Sequence, residues 1–386
     1  MTLSEPTIAL VAGEASGDQL GAALVENLRA RFPGARFVGI AGDGMKAAGV
    51  EAWWDTAELS VMGLFEVLSH LPRLLRLRRA LFRRLLETKP DVFIGIDAPD
   101  FNLGLEIKLR RAGIRTVHYV SPTVWAWREK RVRKIARAAD LVLCLFPFEP
   151  RFYHEHRVPA VYVGHPLADQ IDPDLDRSSA RPQLGIEPGA PTVAILPGSR
   201  RSEVARLAQP MIEAARILSS RRTGLRFVAA MANEGVAELF RAEMQRLGFA
   251  DIAIALRDPR RVIAAADVVL CASGTATLEV MLVNRPLVMT YIVAPSTYRI
   301  GKALDLVKLD WFSLPNILAG KPLVPELIQD QATGGNLADA AERWLDDPQS
   351  VETLTRQFRE LGRELRCDAA ARAAGEVAAQ LESREK

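Results

Sequence analysis

The stretch TVAILPGSRRSEVARL, residues 192–207, decides the fold of this chain. Its first five residues are apolar or β-branched, which predicts a buried strand over Thr192–Leu196. A helix is predicted to begin near Ser202, where Glu203 suits the positive end of the helix dipole. A buried strand that passes through a short loop into a helix is the repeating unit of parallel α/β sheets. The stretch therefore predicts one such unit, with its loop at the carboxyl edge of a sheet.

The same alternation recurs on both sides of this stretch, which predicts an α/β fold of two Rossmann-like domains with parallel sheets. The predicted strands are Thr7–Ala12, Arg36–Ile40, Val92–Ile96, Thr116–Val120, Leu141–Leu145, Val161–Val163, Thr192–Leu196, Arg226–Ala230, Ile252–Ile254, Val268–Cys271 and Pro286–Thr290. Residues 168–191, ADQIDPDLDRSSARPQLGIEPGAP, are rich in Asp and Pro and predict a linker with a short helix. Because ligands of such sheets bind beyond the carboxyl ends of the strands, we expect the active site in the cleft between the domains.

Composition excludes several classes of protein. Of the 386 residues 49% are hydrophobic and 25% are charged, as in a globular chain and not a disordered one. The formal net charge is only +3, so we expect no nucleic-acid partner. Cys144, Cys271 and Cys367 are far apart and form no CxxC pair, so we expect neither a disulfide framework nor a metal site. The N-terminus lacks the pattern of a secretory signal and no apolar run is of membrane-spanning length, which predicts a cytoplasmic location.

Two loops of the second half have the pattern of anion-binding turns. The first, PGSR at residues 197–200, lies between a predicted strand and a helix, where free N–H groups and a guanidinium can bind an anion. The second, ASGTATLE at 272–279, offers small residues, hydroxyls and a carboxylate suited to a ribose diol. The candidate nucleotide-binding residues are Ser199, Arg200, Ser273, Gly274, Thr275, Thr277 and Glu279. Each loop alone also fits a capped helix packed on its strand, but two together favour a nucleoside diphosphate. The chain has no GxxxxGK[ST] motif, which excludes a P-loop NTPase.

In the first half, GEASGD at residues 13–18 and IDAPDFN at 96–102 each follow a predicted strand. The first loop fits an acceptor phosphate and a simple chain turn equally well. In the second loop Asp97 ends a central strand and can serve as general base, while Asp100 caps the helix that follows. The candidate acceptor-binding residues are Glu14, Ser16, Asp18 and Asp100.

The segment 61–87 is both apolar and basic, and Pro72 is predicted to start its second helix. Its arginines are Arg73, Arg76, Arg78, Arg79, Arg83 and Arg84. Such a helix can lie on an anionic bilayer, or it can be a core helix with one solvated face. We expect Leu81–Leu86 to be a core helix with one solvated face, and residues 61–75 to contact membrane or acyl chains. The candidate contact residues are Leu64, Val67, Leu68, Leu71, Leu74 and Leu75.

Seven motifs, in this order, resemble those of the bacterial lipid-A-disaccharide synthases. They are GEASGD (13–18), GIDAPDFN (95–102), HYVSPTVWAW (118–127), GHP (164–166), LPGSR (196–200), SGTATLE (273–279) and SLPN (313–316). The resemblance covers essentially the whole chain. It implies a GT-B glycosyltransferase, peripheral on the inner-membrane phospholipid surface, that joins UDP-2,3-diacylglucosamine to 2,3-diacylglucosamine 1-phosphate. The implied products are the β-1,6 disaccharide and UDP, and no cofactor or metal is implied.

The resemblance also implies residue roles and domain boundaries. The family's catalytic carboxylate falls on Asp97, and Asn316 joins the nucleotide-binding positions. Residues 1–168 are implied to form the acceptor and membrane domain, and 169–364 the UDP-sugar domain. Residues 365–386 are implied to form a helix that packs on the N-terminal domain, in the same chain or in the partner of a homodimer.

Three other functions fit parts of the pattern. A UDP-sugar 2-epimerase shares the two-domain layout and the nucleotide half, but it needs no apolar, basic segment that faces lipid. Another lipid-linked glycosyltransferase, of the kind that serves peptidoglycan, is expected to have a Gly-rich first loop in place of GEASGD. A non-catalytic binding protein needs no carboxylate at Asp97.

Overall fold

The computed structural model describes residues 5–59, 64–123, 131–294 and 310–382, and the side chains from 71 onward in the helix that begins at residue 64. The chain divides into two compact units, Met1–Asp169 with Leu365–Lys386, and Gln170–Glu364. Each unit is a parallel sheet covered by helices on both faces. The predicted class, two parallel-sheet α/β domains, is confirmed.

The first unit is built on the strands β1 Thr7–Ala12, β2 Arg36–Ala41, β3 Glu51–Asp55, β4 Val92–Ile96, β5 Arg115–Tyr119, β6 Leu141–Cys144 and β7 Ala160–Tyr162. Its helices are α1 Ala15–Arg31, α2 Asp43–Ala47, α3 Leu64–Thr88, α4 Pro99–Arg111, α5 Val132–Ala138, α6 Glu149–Glu155 and, at the boundary, α7 Pro166–Gln170. In the described residues the strand order is β3-β2-β1-β4-β5-β6-β7, and all neighbours are parallel. The chain order reverses between β1 and β4, so the switch point lies beyond Ala12 and Ile96.

The second unit repeats this plan with the strands β8 Thr192–Leu196, β9 Arg226–Met231, β10 Ala253–Leu256, β11 Val268–Ala272, β12 Leu287–Tyr291 and β13 Glu326–Ile328. Its helices are α8 Arg177–Gln183, α9 Arg201–Arg221, α10 Glu234–Leu247, α11 Pro259–Ala265, α12 Thr275–Leu282, α13 Leu314–Ala319, α14 Gly334–Asp346 and α15 Pro348–Leu365. The described strands lie in the order β10-β9-β8-β11-β12-β13, again parallel throughout. Here the chain order reverses between β8 and β11, which puts the switch point beyond Leu196 and Ala272.

The last helix, α16 Ala369–Glu382, belongs to the first unit and packs on α1. Its buried face, with Ala373, Val377 and Leu381, is part of the apolar core of that unit. The carboxylate of Asp169 accepts the backbone N–H groups at the start of this segment, including that of Ala369 at 2.7 Å. The predicted return of the C-terminal residues to the N-terminal domain is therefore confirmed.

Most of the predicted strands were recognisable because helices cover both faces of the sheets, so central strands such as Ile8–Ala12 are wholly buried and apolar. The structure differs from the prediction at α3, which continues through Pro72 as one helix instead of starting a second one there. Pro72 is exposed, so its missing N–H removes one helical hydrogen bond on a solvated side. None of the helices that the structure describes is long and apolar enough to cross a bilayer.

Candidate active site

A cavity of about 430 Å³, the first cavity, lies at the switch point of the first sheet. Loops after β1 and β4 form one side of it, and α3 forms the other. Its lining consists of Gly13, Glu14, Gly17, Leu59, Leu71, Leu74, Leu75, Arg78 and Asp97–Phe101. One wall is thus polar and carboxylate-bearing, and the opposite wall is made largely of leucines.

The turn after β4 is conformationally strained. Asp97 has φ 49° and Ala98 has φ 43°, both in the left-handed region that residues other than glycine rarely occupy. Two hydrogen bonds hold the turn: the Asp97 N–H donates to the Tyr119 carbonyl at 2.8 Å, and Asn102 Nδ2 donates to the Asp97 carbonyl at 2.9 Å. Strain of this kind persists only where surrounding contacts fix it, and it is common at functional sites. The Asp97 side chain is half-buried on the cavity wall and has no ion-pair partner among the described residues.

A column of buried polar side chains supports this turn from below. One helical turn beyond Asn102 on α4 lies Glu106, and its Oε1 is 2.8 Å from Nδ1 of His118 on β5. All three side chains are completely buried. Gly95, directly opposite His118 in the sheet, leaves the space that they occupy, since a Cβ there would overlap the Glu106 carboxylate and lie 3.0 Å from Cβ of Asn102. Asn102 and Glu106 therefore both pack over Gly95, two residues before Asp97.

The predicted acceptor residues are not all brought to this cavity. Glu14 and Asp100 line it, and Asp100 also pairs with Arg131 at 2.9 Å. Ser16 is exposed and lies outside the lining.

Asp18 also lies outside the lining. It is buried, and its carboxylate accepts the backbone N–H groups of Gly42 at 2.7 Å, Gly44 at 2.8 Å and Met45 at 3.2 Å. These bonds use the carboxylate to hold the start of α2 against α1. Asp18 therefore positions the chain, and backbone N–H groups already occupy its carboxylate.

The leucine wall comes from the exposed half of α3. Leu71 is 44% exposed, and Leu74 and Leu75 are half-buried in the lining. The side chains of Leu64, Val67 and Leu68 lie outside the described residues. Farther along, Leu81 and Leu85 are completely buried, as expected for the core half of the helix.

A second cavity, of about 500 Å³, lies at the switch point of the second sheet. The loops after β8 and β11 meet there, as the two sequence motifs predict. Its lining includes Leu196, Gly198, Ser199, Arg200, Glu203, Ala272, Ser273, Gly274, Thr275, Ala276 and Glu279. Most of the predicted nucleotide-binding residues are thus brought to one place.

Glycine is required at both turns of this cavity. Gly198 has φ 110°, and a Cβ there would lie 2.6 Å from Oε2 of Glu203. Gly274 has φ 120° and open space in front of it, and it caps α12 without any side-chain hydrogen bond. The first backbone N–H groups of α12 are therefore available to an anion, which the helix dipole also favours.

The charged residues of the second cavity have different environments. Arg200 is exposed and pairs with Glu203 at 3.0 Å, so its guanidinium can turn toward a ligand at little cost. Glu279 lies in the cavity wall, where burial raises the pKa of its carboxyl and nearby Arg260 opposes this in part. A half-buried carboxylate of this kind gains stability from hydroxyl donors such as those of a ribose.

Two predicted nucleotide residues, Thr277 and Asn316, lie outside the lining. Thr277 is buried, donates to the Gly274 carbonyl at 2.8 Å and accepts the Leu314 N–H at 3.1 Å. Asn316 is completely buried, and its amide bonds the 323–324 backbone and Oε1 of Glu326. Both side chains join α12 and α13 to the sheet, so they shape the cavity without reaching it. Ser273 does line it, and its hydroxyl donates to the Phe312 carbonyl at 2.9 Å.

The family of this chain follows from comparison with known proteins. A family model described as lipid-A-disaccharide synthetase matches residues 8–377. A lipid-A-disaccharide synthase of Xanthomonas campestris pv. campestris is 53% identical over 382 residues, which cover 98% of this chain and 87% of that protein. The chain belongs to the lipid-A-disaccharide synthase family. Membership makes it a glycosyltransferase of lipid A biosynthesis, and the epimerase, peptidoglycan-type and non-catalytic alternatives are not favoured.

Solved structures agree on the architecture. The UDP-GlcNAc 2-epimerase of Neisseria meningitidis, bound to UDP-GlcNAc, matches with TM-score 0.64 at 11% identity, covering 98% of this chain and all of that one. The calicheamicin glycosyltransferase matches with TM-score 0.59 at 17% identity, covering 99% of this chain and 100% of that one. At such low identity the matches show the fold alone, and that fold is GT-B, as the sequence motifs implied.

Proposed function

We propose that this chain transfers a 2,3-diacylglucosaminyl group from UDP-2,3-diacylglucosamine to the 6-hydroxyl of 2,3-diacylglucosamine 1-phosphate. The products are the β-1,6-linked disaccharide 1-phosphate and UDP. Family membership supports the substrates. The observation that carries the residue roles is the pair of cavities at the two switch points. One holds Asp97, which has no ion-pair partner among the described residues, and the other has an open helix N-terminus beside an arginine.

In this mechanism Asp97 is the general base. Its carboxylate accepts the proton of the acceptor 6-hydroxyl while that oxygen bonds to the anomeric carbon of the donor. The bond from that carbon to UDP breaks, and UDP leaves with the electron pair. Attack from the face opposite UDP inverts the configuration. The lack of an ion-pair partner for Asp97 in the described part of the chain supports the role, because a base must be free to take a proton.

The nucleotide half of the donor is assigned to the second cavity. The N–H groups at the start of α12 and the guanidinium of Arg200 stabilise the charge that develops on UDP as it leaves. Ser199, Ser273 and Thr275 add polar contacts, and Glu279 accepts hydrogen bonds from the ribose. In this proposal, fixed dipoles and one guanidinium neutralise the diphosphate, so no metal or other cofactor is needed.

The leucines of the first cavity are assigned to the acyl chains and to the membrane surface. Leu71, Leu74 and Leu75 form the wall opposite Asp97 in the first cavity, and Leu71 is exposed. Burial of apolar surface stabilises membrane binding by ~25 cal/mol per Å², and each arginine near an anionic bilayer stabilises it by a further ~1 kcal/mol. We infer a peripheral protein on the cytoplasmic face of the inner membrane.

The membrane assignment is tested by replacing Leu71, Leu74 and Leu75 with Ser and measuring flotation on anionic phospholipid vesicles. Binding should fall and become more salt-sensitive, because the arginines alone then attract the surface. Leu86→Ser is the matched control, since Leu86 is also exposed on α3 but lies outside the cavity. A triple variant that unfolds at much lower temperature would show that these leucines belong to the core instead.

A homodimer is also proposed. In this structure α16 packs on the first unit of its own chain. The same contacts form when two copies exchange this helix, which is a low-cost route to a symmetric dimer. Light scattering after size exclusion distinguishes a dimer from a monomer directly.

The activity is tested by UDP release in detergent micelles. The proposal predicts release only when UDP-2,3-diacylglucosamine and the diacylated glucosamine phosphate are both present. Release of UDP from UDP-GlcNAc without an acceptor would indicate epimerase-like chemistry. No release from the complete mixture by folded, UDP-binding protein would contradict the proposed reaction.

A further inference from the structure

Helix α3 presents an ordered stripe to the first cavity. Leu71, Leu74, Leu75 and Arg78 are spaced at three, four and seven residues, so they share one face of the helix. The leucines come first along the chain and the arginine comes one turn later. The wall that faces Asp97 therefore changes from apolar to cationic within two helical turns.

Arg78 differs from other arginines of this helix. Arg73 pairs with Glu58 at 2.7 Å, and the guanidinium of Arg84 lies 4.3 Å from the ring centre of Trp53. No residue in the described ranges pairs with the half-buried Arg78. A half-buried guanidinium normally has hydrogen-bond acceptors, since leaving it without them is costly. The guanidinium of Arg78 is therefore available to a ligand that takes the place of solvent in the cavity.

Gly104 on α4 makes room for this guanidinium. A Cβ at residue 104 would lie 2.8 Å from Nη1 of Arg78, closer than real Cβ atoms approach. The side chain thus lies over a gap in the neighbouring helix and is kept within the cavity. The packing of α3 on α4 therefore determines the position of the Arg78 side chain.

The charged residues that line the first cavity also favour a cation at the position of Arg78. The other ionisable residues in the lining are Glu14, Asp97 and Asp100, all carboxylates, and only Asp100 has a described cationic partner, Arg131. Like charges a few ångströms apart repel strongly where solvent is partly excluded. An anionic acceptor brought to Asp97 is therefore repelled unless Arg78 compensates.

We propose that Arg78 binds the phosphate of the acceptor and makes the first cavity specific for a phosphorylated glycolipid. This inference rests on the proposed function, because it assumes an acylated glucosamine phosphate as acceptor. A guanidinium matches phosphate oxygens with two parallel N–H donors, which gives both affinity and orientation. The acceptor then lies with its acyl chains on the leucines, its phosphate on Arg78 and its free hydroxyl at Asp97.

The test compares two acceptors in detergent micelles: 2,3-diacylglucosamine 1-phosphate and the same glycolipid without phosphate. Arg78→Ala should lower kcat/KM for the phosphorylated acceptor by about 10- to 100-fold, as for a lost charge-assisted contact, and leave the other acceptor almost unchanged. Arg78→Lys should retain part of the preference, since the charge remains but the two-pronged geometry is lost. Arg79→Ala is the matched control, because it removes the same charge from the exposed side of α3.

Equal losses with both acceptors, or the same loss in Arg79→Ala, would overturn the inference. UDP binding and a thermal melt establish whether each variant is folded. If Arg78→Ala is not folded, Arg78→Lys is used in its place. An unchanged preference of Arg78→Lys for the phosphorylated acceptor would contradict the assignment. A parent protein that releases no UDP with either acceptor contradicts the proposed function itself. A parent that is active and keeps its preference in Arg78→Ala contradicts only the role of Arg78.

Discussion

The first cavity places a carboxylate on a strained turn opposite a wall of leucines, whereas the second places glycines and hydroxyls around a helix N-terminus. Both lie at the switch point of a parallel sheet, so the same topology creates two different chemical environments. In the second, Gly198 and Gly274 adopt positive φ without strain. In the first, Asp97 and Ala98 adopt positive φ although they are not glycines.

The two cavities use different residues at these turns because they are proposed to bind different chemical groups. An anion site is made of backbone N–H groups, so glycine serves it well because the ligand can approach the main chain closely. A general base needs a side chain, and the strained turn at Asp97 must then be stabilised by its neighbours. Asn102 bonds that turn directly, and the buried Glu106–His118 pair packs beside Asn102 over Gly95.

The largest expected effect is at the carboxylate. Asp97→Asn should lower kcat by roughly 10²–10⁴-fold, the usual loss when a general base is removed. Asp100→Asn is the matched control, because Asp100 lines the same cavity but is paired with Arg131. If Asp97→Asn retains most of its activity while Asp100→Asn does not, the two roles are reversed.

The second effect is at the diphosphate. Arg200→Ala should weaken UDP binding by about 10- to 100-fold and slow transfer, because a charge-assisted contact is lost. Calorimetry measures the affinity, and Arg201→Ala serves as control. EDTA should leave the rate unchanged, since fixed dipoles and Arg200 stabilise the leaving group. A strict Mg²⁺ requirement would contradict this and direct attention to the carboxylates of Asp172–Asp176.

The third effect concerns the support of the strained turn. Gly95→Ala should destabilise the fold by about 1–3 kcal/mol, because the added methyl overlaps the Glu106 carboxylate. Turnover should fall while UDP affinity stays unchanged, since the defect lies below Asp97. Chemical denaturation and calorimetry measure the two quantities. The control is Gly375→Ala, where a Cβ makes only ordinary contacts; equal behaviour of the two variants contradicts the packing argument.

The smallest effect is a pH dependence at Glu279. Burial raises the pKa of this carboxyl, and ribose hydroxyls donate more strongly to its ionised form than to its neutral form. Affinity for a UDP-sugar should therefore fall as pH falls through that raised pKa. In Glu279→Gln the affinity should be roughly two- to tenfold lower at neutral pH and independent of pH over this range. A UDP-sugar is used because its phosphates do not titrate there; an unchanged pH profile in the variant would exclude Glu279 as the titrating group.

Much of the fold was predictable from sequence because the central strands are apolar on both faces. The two strands that were missed, β3 and β13, lie at sheet edges. In β3, Glu51–Asp55, the residues are half-exposed and include two tryptophans, so neither an apolar run nor alternation marks it. In β13 only Glu326–Ile328 pair with the sheet, which is too short for a pattern.

The site was predictable in position but less so in detail. Sequence shows that Asp18 and Asn316 are polar, but it does not show that neighbouring backbone groups already occupy their hydrogen-bonding atoms. Arg78 was missed as a site residue for the opposite reason. Among the six arginines of its segment nothing in the sequence distinguishes it, and only the packing of α3 on α4 directs it into the cavity.

The central claim, that one unit activates the acceptor while the other binds the departing nucleotide, is tested most directly by equilibrium binding of UDP to Asp97→Asn and Arg200→Ala in parallel. We expect the UDP affinity of Asp97→Asn to equal that of the parent, although this variant turns over far more slowly. We expect a clearly weaker UDP affinity in Arg200→Ala. Loss of UDP binding in Asp97→Asn, with normal binding in Arg200→Ala, would contradict the division of roles between the two cavities.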